Sequence, residues 1–229
     1  MHPRTLLLLF ALLPTAVLAA PNGAELFSQH CAVCHGQYGS GGVGTPLALE
    51  SFLTGVSDEY LAKTIRNGRP GRVMPAFRTL SDAQVGAIVG HVRSWSESPA
   101  PAEDQTPVAG DPVLGAELFA VHCAGCHGAD AKGGQGTGVT LSRPRDLPII
   151  PPALNNPGFL AAASDRMIRA TIETGREGTP MPGFGELLSA AEIDAVGVGP
   201  DRPIAPNTTD EGKARNRRIE VVIRPAATE

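Results

Sequence analysis

Cys31-Ala32-Val33-Cys34-His35 and Cys123-Ala124-Gly125-Cys126-His127 decide how this chain is read, and they hold all four of its cysteines. Cysteines three apart lie on one face of a helical turn, and in both stretches a histidine follows directly. The flanks repeat as well. Gly23-Ala24-Glu25-Leu26-Phe27 recurs as Gly115-Ala116-Glu117-Leu118-Phe119, at the same spacing of 92 residues that separates Cys31 from Cys123. Further on the spacing is 107: Phe52-Leu53 matches Phe159-Leu160, Thr64-Ile65 matches Thr171-Ile172, and Met74-Pro75 matches Met181-Pro182. The fifteen extra residues of the second copy fall between His127 and Phe159, in a Gly/Pro-rich stretch that enlarges a loop rather than a helix. The chain is a duplicated module, and its chemistry is to be read twice.

Cys-x-x-Cys-His is the spacing of covalent c-type haem attachment. Two thiols on one face can each bond a vinyl group of the porphyrin, and the next side chain, His35 or His127, is aimed at the iron. A pair of disulfides or a four-cysteine zinc site would use the same cysteines but would leave both histidines without a reason. The expected cofactors are therefore two covalently attached haem c groups, on Cys31 and Cys34 and on Cys123 and Cys126.

A haem iron held by histidine needs a sixth ligand if it is only to pass electrons. Met1 goes with the leader and Met167 falls inside a predicted helix, which leaves one methionine per module. Met74 lies in Arg69-Pro70-Gly71-Arg72-Val73-Met74-Pro75 and Met181 in Arg176-Glu177-Gly178-Thr179-Pro180-Met181-Pro182. A lone methionine is more often core filler, but recurrence at matched positions points to iron. The expected metal ligands are His35 with Met74 and His127 with Met181.

Secondary-structure signals agree between copies. Asn22 and Asp111-Pro112 read as helix starts. Helices are predicted from about Ser57 to Asn67 and from Ser164 to Thr174, with Leu61/Ile65 and Ile168/Ile172 on their apolar faces. A closing helix starts at Ser81, with Gln84 as reciprocal cap, and runs on to Trp95; its counterpart starts at Ser189 and breaks at Gly197-Val198-Gly199-Pro200. No strand alternation is sustained over 21–196, so the modules are all-α. Ser96 to Gly110, rich in Pro and Ala, reads as an exposed semi-rigid linker.

Composition bounds the rest. The chain has 229 residues, 42% apolar and 18% charged, with a net charge of −4, which argues against a disordered chain, a multi-span membrane protein and a nucleic-acid binder held by charge. Only ten residues are aromatic, counting Phe, Tyr and Trp, too little bulk for two small cores unless a cofactor fills them. Residues 1–19 have the layout of a secretory signal peptide, with cleavage expected after Ala19. The mature protein is expected to be exported to the periplasm, with no transmembrane anchor after cleavage.

Taken in order, the haem motif, Gly-rich stretch, helix, Met-Pro loop and closing helix, twice over, resemble the class I cytochrome c family in its bacterial diheme form. The resemblance covers about residues 21–196 and implies two tandem cytochrome c-like helical domains, at 20–95 and 111–198, each built around a covalent haem. It implies an electron carrier, one electron per haem, working between respiratory or dehydrogenase partners, alone or as the cytochrome subunit of an oxidoreductase, and not itself an enzyme. It also implies a proline carbonyl that orients the ligand histidine, with Pro46 and Pro152, or its neighbour Pro151, as candidates. A diheme peroxidase would want one iron without its methionine, and both Met loops are present.

Other polar residues are weaker candidates. His30 and His122 precede the motifs and read as surface histidines rather than as haem-edge residues or replacement ligands, and His91 reads as a solvated helix position rather than an iron ligand. Arg69 and Arg176, matched in the repeat, read equally as haem-propionate partners or as solvated loop residues. Residues 199–229 look like the end of an OmpA-like peptidoglycan-binding domain. Only a fragment of that domain is present, so a mobile tail without peptidoglycan binding is expected; a wall-tethered cytochrome is the alternative.

Overall fold

The computed structural model describes residues 20–42, 44–133 and 151–197. The readings of the leader, of the tail after Gly197 and of most of the enlarged loop lie outside them. Every regular element among the described residues is a helix. The first module holds α1 (Gly23–His30), α2 (Ala32–His35), α3 (Glu50–Leu53), α4 (Asp58–Asn67) and α5 (Asp82–Arg93). The second holds α6 (Pro112–His122), α7 (Ala124–His127), α8 (Pro157–Ala162), α9 (Asp165–Thr174) and α10 (Ala190–Gly197).

Local chemistry explains where the long helices start. The Asn22 side chain accepts from the amides of Ala24 and Glu25, and Asp111 from those of Val113 and Leu114, with Pro112 at the first helical position. Ser57 and Ser164 cap α4 and α9 in the same way. Ser81 and Gln84 close a reciprocal capping box at α5. The short helices α3 and α8, of four and six residues, carry too little periodicity to be read from sequence.

In each module the first long helix crosses the last, and the repeat's glycine makes the crossing possible. A Cβ on Gly23 would stand 2.0 Å from the Ala87 carbonyl oxygen of α5, and one on Gly115 would stand 2.0 Å from that of Ala195 in α10. The Gly in Gly-Ala-Glu-Leu-Phe is therefore a close-packing residue, since no side chain fits between these backbones. Beside the first crossing, Trp95 follows the end of α5, lies over Gly39, and meets Phe27 edge-on at 5.0 Å. His91 completes this cluster, with ring centroids 5.5 Å from Phe27 and 5.1 Å from Trp95. His91 is thus half-buried among aromatic rings, not the solvated position its sequence context suggested.

The two cores are unequal. Phe27, Leu53, Val56, Ile88 and their neighbours form a large buried cluster that extends across the module boundary to Ala162 and Ala163 of the second module. Among the described residues, the cluster proper to the second module has Ile172, Leu188 and Ile193 as its buried members. Between the modules the chain over 96–110 has no regular element but is tied to both of them, starting with Ser96 Oγ, which donates to the Glu50 carboxylate at 3.0 Å. Ser57 donates to the Glu103 carboxylate, Asp104 pairs with Arg166 at 3.3 Å, and the Val108 amide donates to Asp165 at 3.3 Å. The stretch read from sequence as an exposed semi-rigid linker is also a strap, because Glu103 and Asp104 find the N-terminal ends of α4 and α9.

Candidate haem centres

Each haem motif starts at the end of one helix and forms the next. The Cys31 amide donates to the Phe27 carbonyl, closing α1, and the His35 amide donates to the Cys31 carbonyl, closing the single turn of α2. The Cys123 and His127 amides repeat this with Phe119 and Cys123. Cys31, Cys34 and His35 then line a cavity, as do Cys123, Cys126 and His127, and the two pockets run together into one space between the modules. None of the four cysteines is joined to another in a disulfide. Burial pushes the Cys31 thiol up to about 11, and the neighbouring Cys34 adds to this. Among the described residues no three His, Cys, Asp or Glu side chains converge as a metal site of their own.

The histidines are held by backbone carbonyls. His35 Nδ1 lies 2.8 Å from the Thr45 oxygen, and His127 Nδ1 lies 3.1 Å from the Pro152 oxygen. Burial lowers the pKa of both imidazoles, although the carbonyl contact works the other way. A neutral ring that donates Nδ1–H to a carbonyl keeps the Nε2 lone pair free for a metal. Pro152 is as the resemblance implied, but the corresponding acceptor in the first module is Thr45, one residue before Pro46. The two acceptors keep the 107-residue spacing, so position in the loop, not residue type, sets this contact. Gly44 also sits close against the His35 ring, where a Cβ would be 2.7 Å from Cε1 and Nδ1.

The methionine loops are stapled at both ends. The Arg69 amide donates to the Met74 carbonyl at 2.9 Å, and the Phe77 amide to the Ile65 carbonyl of α4 at 3.0 Å. Arg176 with Met181 (3.0 Å) and Phe184 with Ile172 (2.9 Å) repeat the pattern on α9. The helix before each loop ends at a glycine of positive φ, Gly68 at 60° and Gly175 at 71°. A Cβ on Gly68 would come within 2.5 Å of the Pro75 carbonyl carbon, and one on Gly175 within 2.4 Å of the Gly183 nitrogen. Met74 and Met181 line the same cavity as the histidines, so the structure brings all eight expected site residues to one space.

His30 and His122 also line the cavity, each with its ring 6.0 Å from a phenylalanine of its Met loop, Phe77 or Phe184. Arg69 and Arg176 are not solvated loop residues: both are half-buried at the junction of the modules. The cavity suits a large flat apolar group, because Phe27, Leu61, Ile65, Phe119 and Ile172 supply its walls while thiols, imidazoles and thioethers supply the polar atoms.

The comparisons with known proteins agree with this geometry. A family model described as cytochrome C oxidase, cbb3-type, subunit III matches residues 18–92 and again 110–198. The cbb3-type cytochrome c oxidase subunit FixP of Azorhizobium caulinodans is 33% identical over 190 residues, which is 79% of this chain and 58% of that protein. The subunit CcoP of Rhodobacter capsulatus is 31% identical over 210 residues, 80% of this chain and 64% of that one. This chain thus spans about three-fifths of the length of the relatives it matches. Among solved structures, a chain of the reducing HAO-like protein complex of Kuenenia stuttgartiensis superposes with a TM-score of 0.49 at 23% identity, covering 76% of this chain and 92% of that one. With the family model matching in both halves, over most of the chain, the protein belongs to the cbb3-type cytochrome c oxidase subunit III family and is a diheme c-type cytochrome of electron transport.

Proposed function

We propose that the protein carries electrons, one per haem, as the diheme cytochrome component of a cbb3-type oxidase or as a close counterpart serving such a terminal oxidase from the periplasm. Residues 1–19 direct export in this reading, and residues 20–95 and 111–198 form the two haem domains. Cys31 and Cys34 hold one haem and Cys123 and Cys126 the other, with His35 and Met74, and His127 and Met181, as axial ligands. Bound haem iron supplies a one-electron couple. The chain's own work is to fix the ligands and keep water out. Burial keeps each imidazole neutral, the Thr45 and Pro152 carbonyls orient it, and the stapled loops hold each thioether against an apolar wall. Soft thioether ligation favours the ferrous state and raises the potential.

The observation that carries this reading is that both modules, independently, bring a Cys-x-x-Cys-His turn and a methionine loop to the same cavity. Methionine at both irons leaves no open position for peroxide, which favours a carrier over a peroxidase. A reductive titration of the purified holoprotein, followed in the visible spectrum, tests it. Two one-electron steps, Met-to-iron charge-transfer bands in the oxidised form and negligible peroxide turnover are expected. A high-spin site with peroxide turnover would replace the carrier by the enzyme.

A further inference from the structure

The modules meet through a contact that the repeat makes twice. Arg69 Nη1 donates to the Gly158 carbonyl of α8 at 3.2 Å, and its guanidinium carbon lies 5.7 Å from the Phe159 ring centre. Arg176 Nη1 donates to the Ser51 carbonyl of α3 at 3.4 Å, and its guanidinium carbon lies 5.4 Å from the Phe52 ring centre. Arg69/Arg176, Ser51/Gly158 and Phe52/Phe159 are all pairs 107 residues apart. Each module therefore gives the other an arginine and receives one, as a local twofold axis requires.

Each arginine also belongs to its own module. Arg69 Nη2 reaches the Tyr60 hydroxyl at 3.0 Å and Thr64 Oγ1 at 3.1 Å, and Arg176 Nη2 reaches Thr171 Oγ1 at 3.3 Å. Their backbone amides hold the Met74 and Met181 carbonyls. One residue thus joins a Met loop, the helix before it and the opposite module. Among the described residues, every acceptor of both guanidinium groups is neutral. The flanks are close as well: Asn156 Nδ2 donates to the Pro70 carbonyl at 2.9 Å, Ser51 Oγ to the Glu177 carbonyl at 2.6 Å, and Arg72 to the Lys132 carbonyl. A Cβ on Gly158 would stand 2.2 Å from the Gly68 carbonyl oxygen, so the backbones themselves touch.

We propose that Arg69 and Arg176 are reciprocal positioning residues that lock the two modules in one orientation, and thereby set the rate at which an electron crosses from one haem to the other. A half-buried cation is costly unless partners of fixed geometry compensate it, and here ring faces, carbonyls and hydroxyls do so. A planar guanidinium can meet a ring, a carbonyl and a hydroxyl together, which an ammonium cannot. The rate part of the proposal rests on the electron-carrying reading above, whereas the docking part does not.

The test uses full-length holoprotein with R69K/R176K and R69A/R176A, and with R78A, at an exposed arginine, as control. Solution scattering and protease cleavage within 96–110 read docking, and flash-initiated electron exchange between the haems reads the rate. Each lost arginine contact is worth about a factor of ten in the closed population, by the usual size of desolvated cation–π and charged hydrogen-bond contacts. Both double variants are expected to broaden the scattering distance distribution, speed linker cleavage at least about tenfold and slow inter-haem exchange by a similar factor, while keeping both Met-to-iron bands. Unchanged scattering and cleavage overturn the docking role. Loss of the Met-to-iron bands in both the Lys and the Ala variants also overturns it, because the arginines would then serve only their own loops. Opened modules with unchanged exchange overturn the rate-setting role. Failure of the carrier reading would instead show in the wild-type protein, as absent redox steps, with docking unaffected.

Discussion

Single residues carry the chemistry, and most of them act through a neighbour's backbone. His35 is aimed by the Thr45 carbonyl and confined by Gly44, which lies against its ring. Gly44→Ala would press a methyl into the imidazole, and an overpacked contact of this kind costs about 1–3 kcal/mol. The expected result is a lower denaturation midpoint and a perturbed first haem with the second spectrum intact, read by difference spectra during urea unfolding. Met74→Ala and Met181→Ala each remove one thioether from the cavity. Each is expected to abolish about half of the Met-to-iron band intensity, one haem of two, and to open one iron to added ligand, while the other keeps its band. A spectrum that neither substitution changes would sink the axial assignment.

At the scale of elements, the decisive features are helix ends. Gly68 and Gly175, at positive φ, let α4 and α9 stop and pass straight into the Met loops, with no room for a side chain. Gly68→Ala meets both the positive φ and the Pro75 backbone, and strained positions of this kind cost about 1–3 kcal/mol. Besides losing stability, this variant is expected to weaken the Met74 band and leave that of Met181, which a spectrum taken before unfolding would show. The capping box at α5 is a milder control: Ser81→Ala should cost about 1 kcal/mol in chemical denaturation without touching either haem spectrum. Trp95 packs on Gly39 and Phe27 at the end of the same helix.

The whole molecule is a duplication whose halves are not equally supported. Among the described residues α5 runs twelve residues and α10 eight, and the first module's core recruits α8 from the second. Burial of apolar surface is the main stabilising term, so the smaller cluster around Ile172, Leu188 and Ile193 should open first. Hydrogen exchange followed by mass spectrometry is expected to show α6 and α10 losing protection before α1 and α5. Simultaneous loss in all four helices would mean that the interface, with its paired arginines and its tied strap, makes the two halves one cooperative unit.

By itself the sequence determined the covalent and local facts. Cys-x-x-Cys-His, the matched methionines and the side-chain caps are written in residue types at fixed spacing, and those types have few other uses in that order. What tertiary structure decided is where anonymous backbone and repeated polar residues end up. The carbonyl that orients His35 belongs to Thr45 and not Pro46, because every residue offers the same oxygen and only the loop path selects one. Gly23 and Gly115 look like weak helix positions until another helix is laid across them. Arg69 and Arg176 show their meaning only when the modules face each other, since a cation's partner across 89 or 125 residues of chain leaves no local pattern to read.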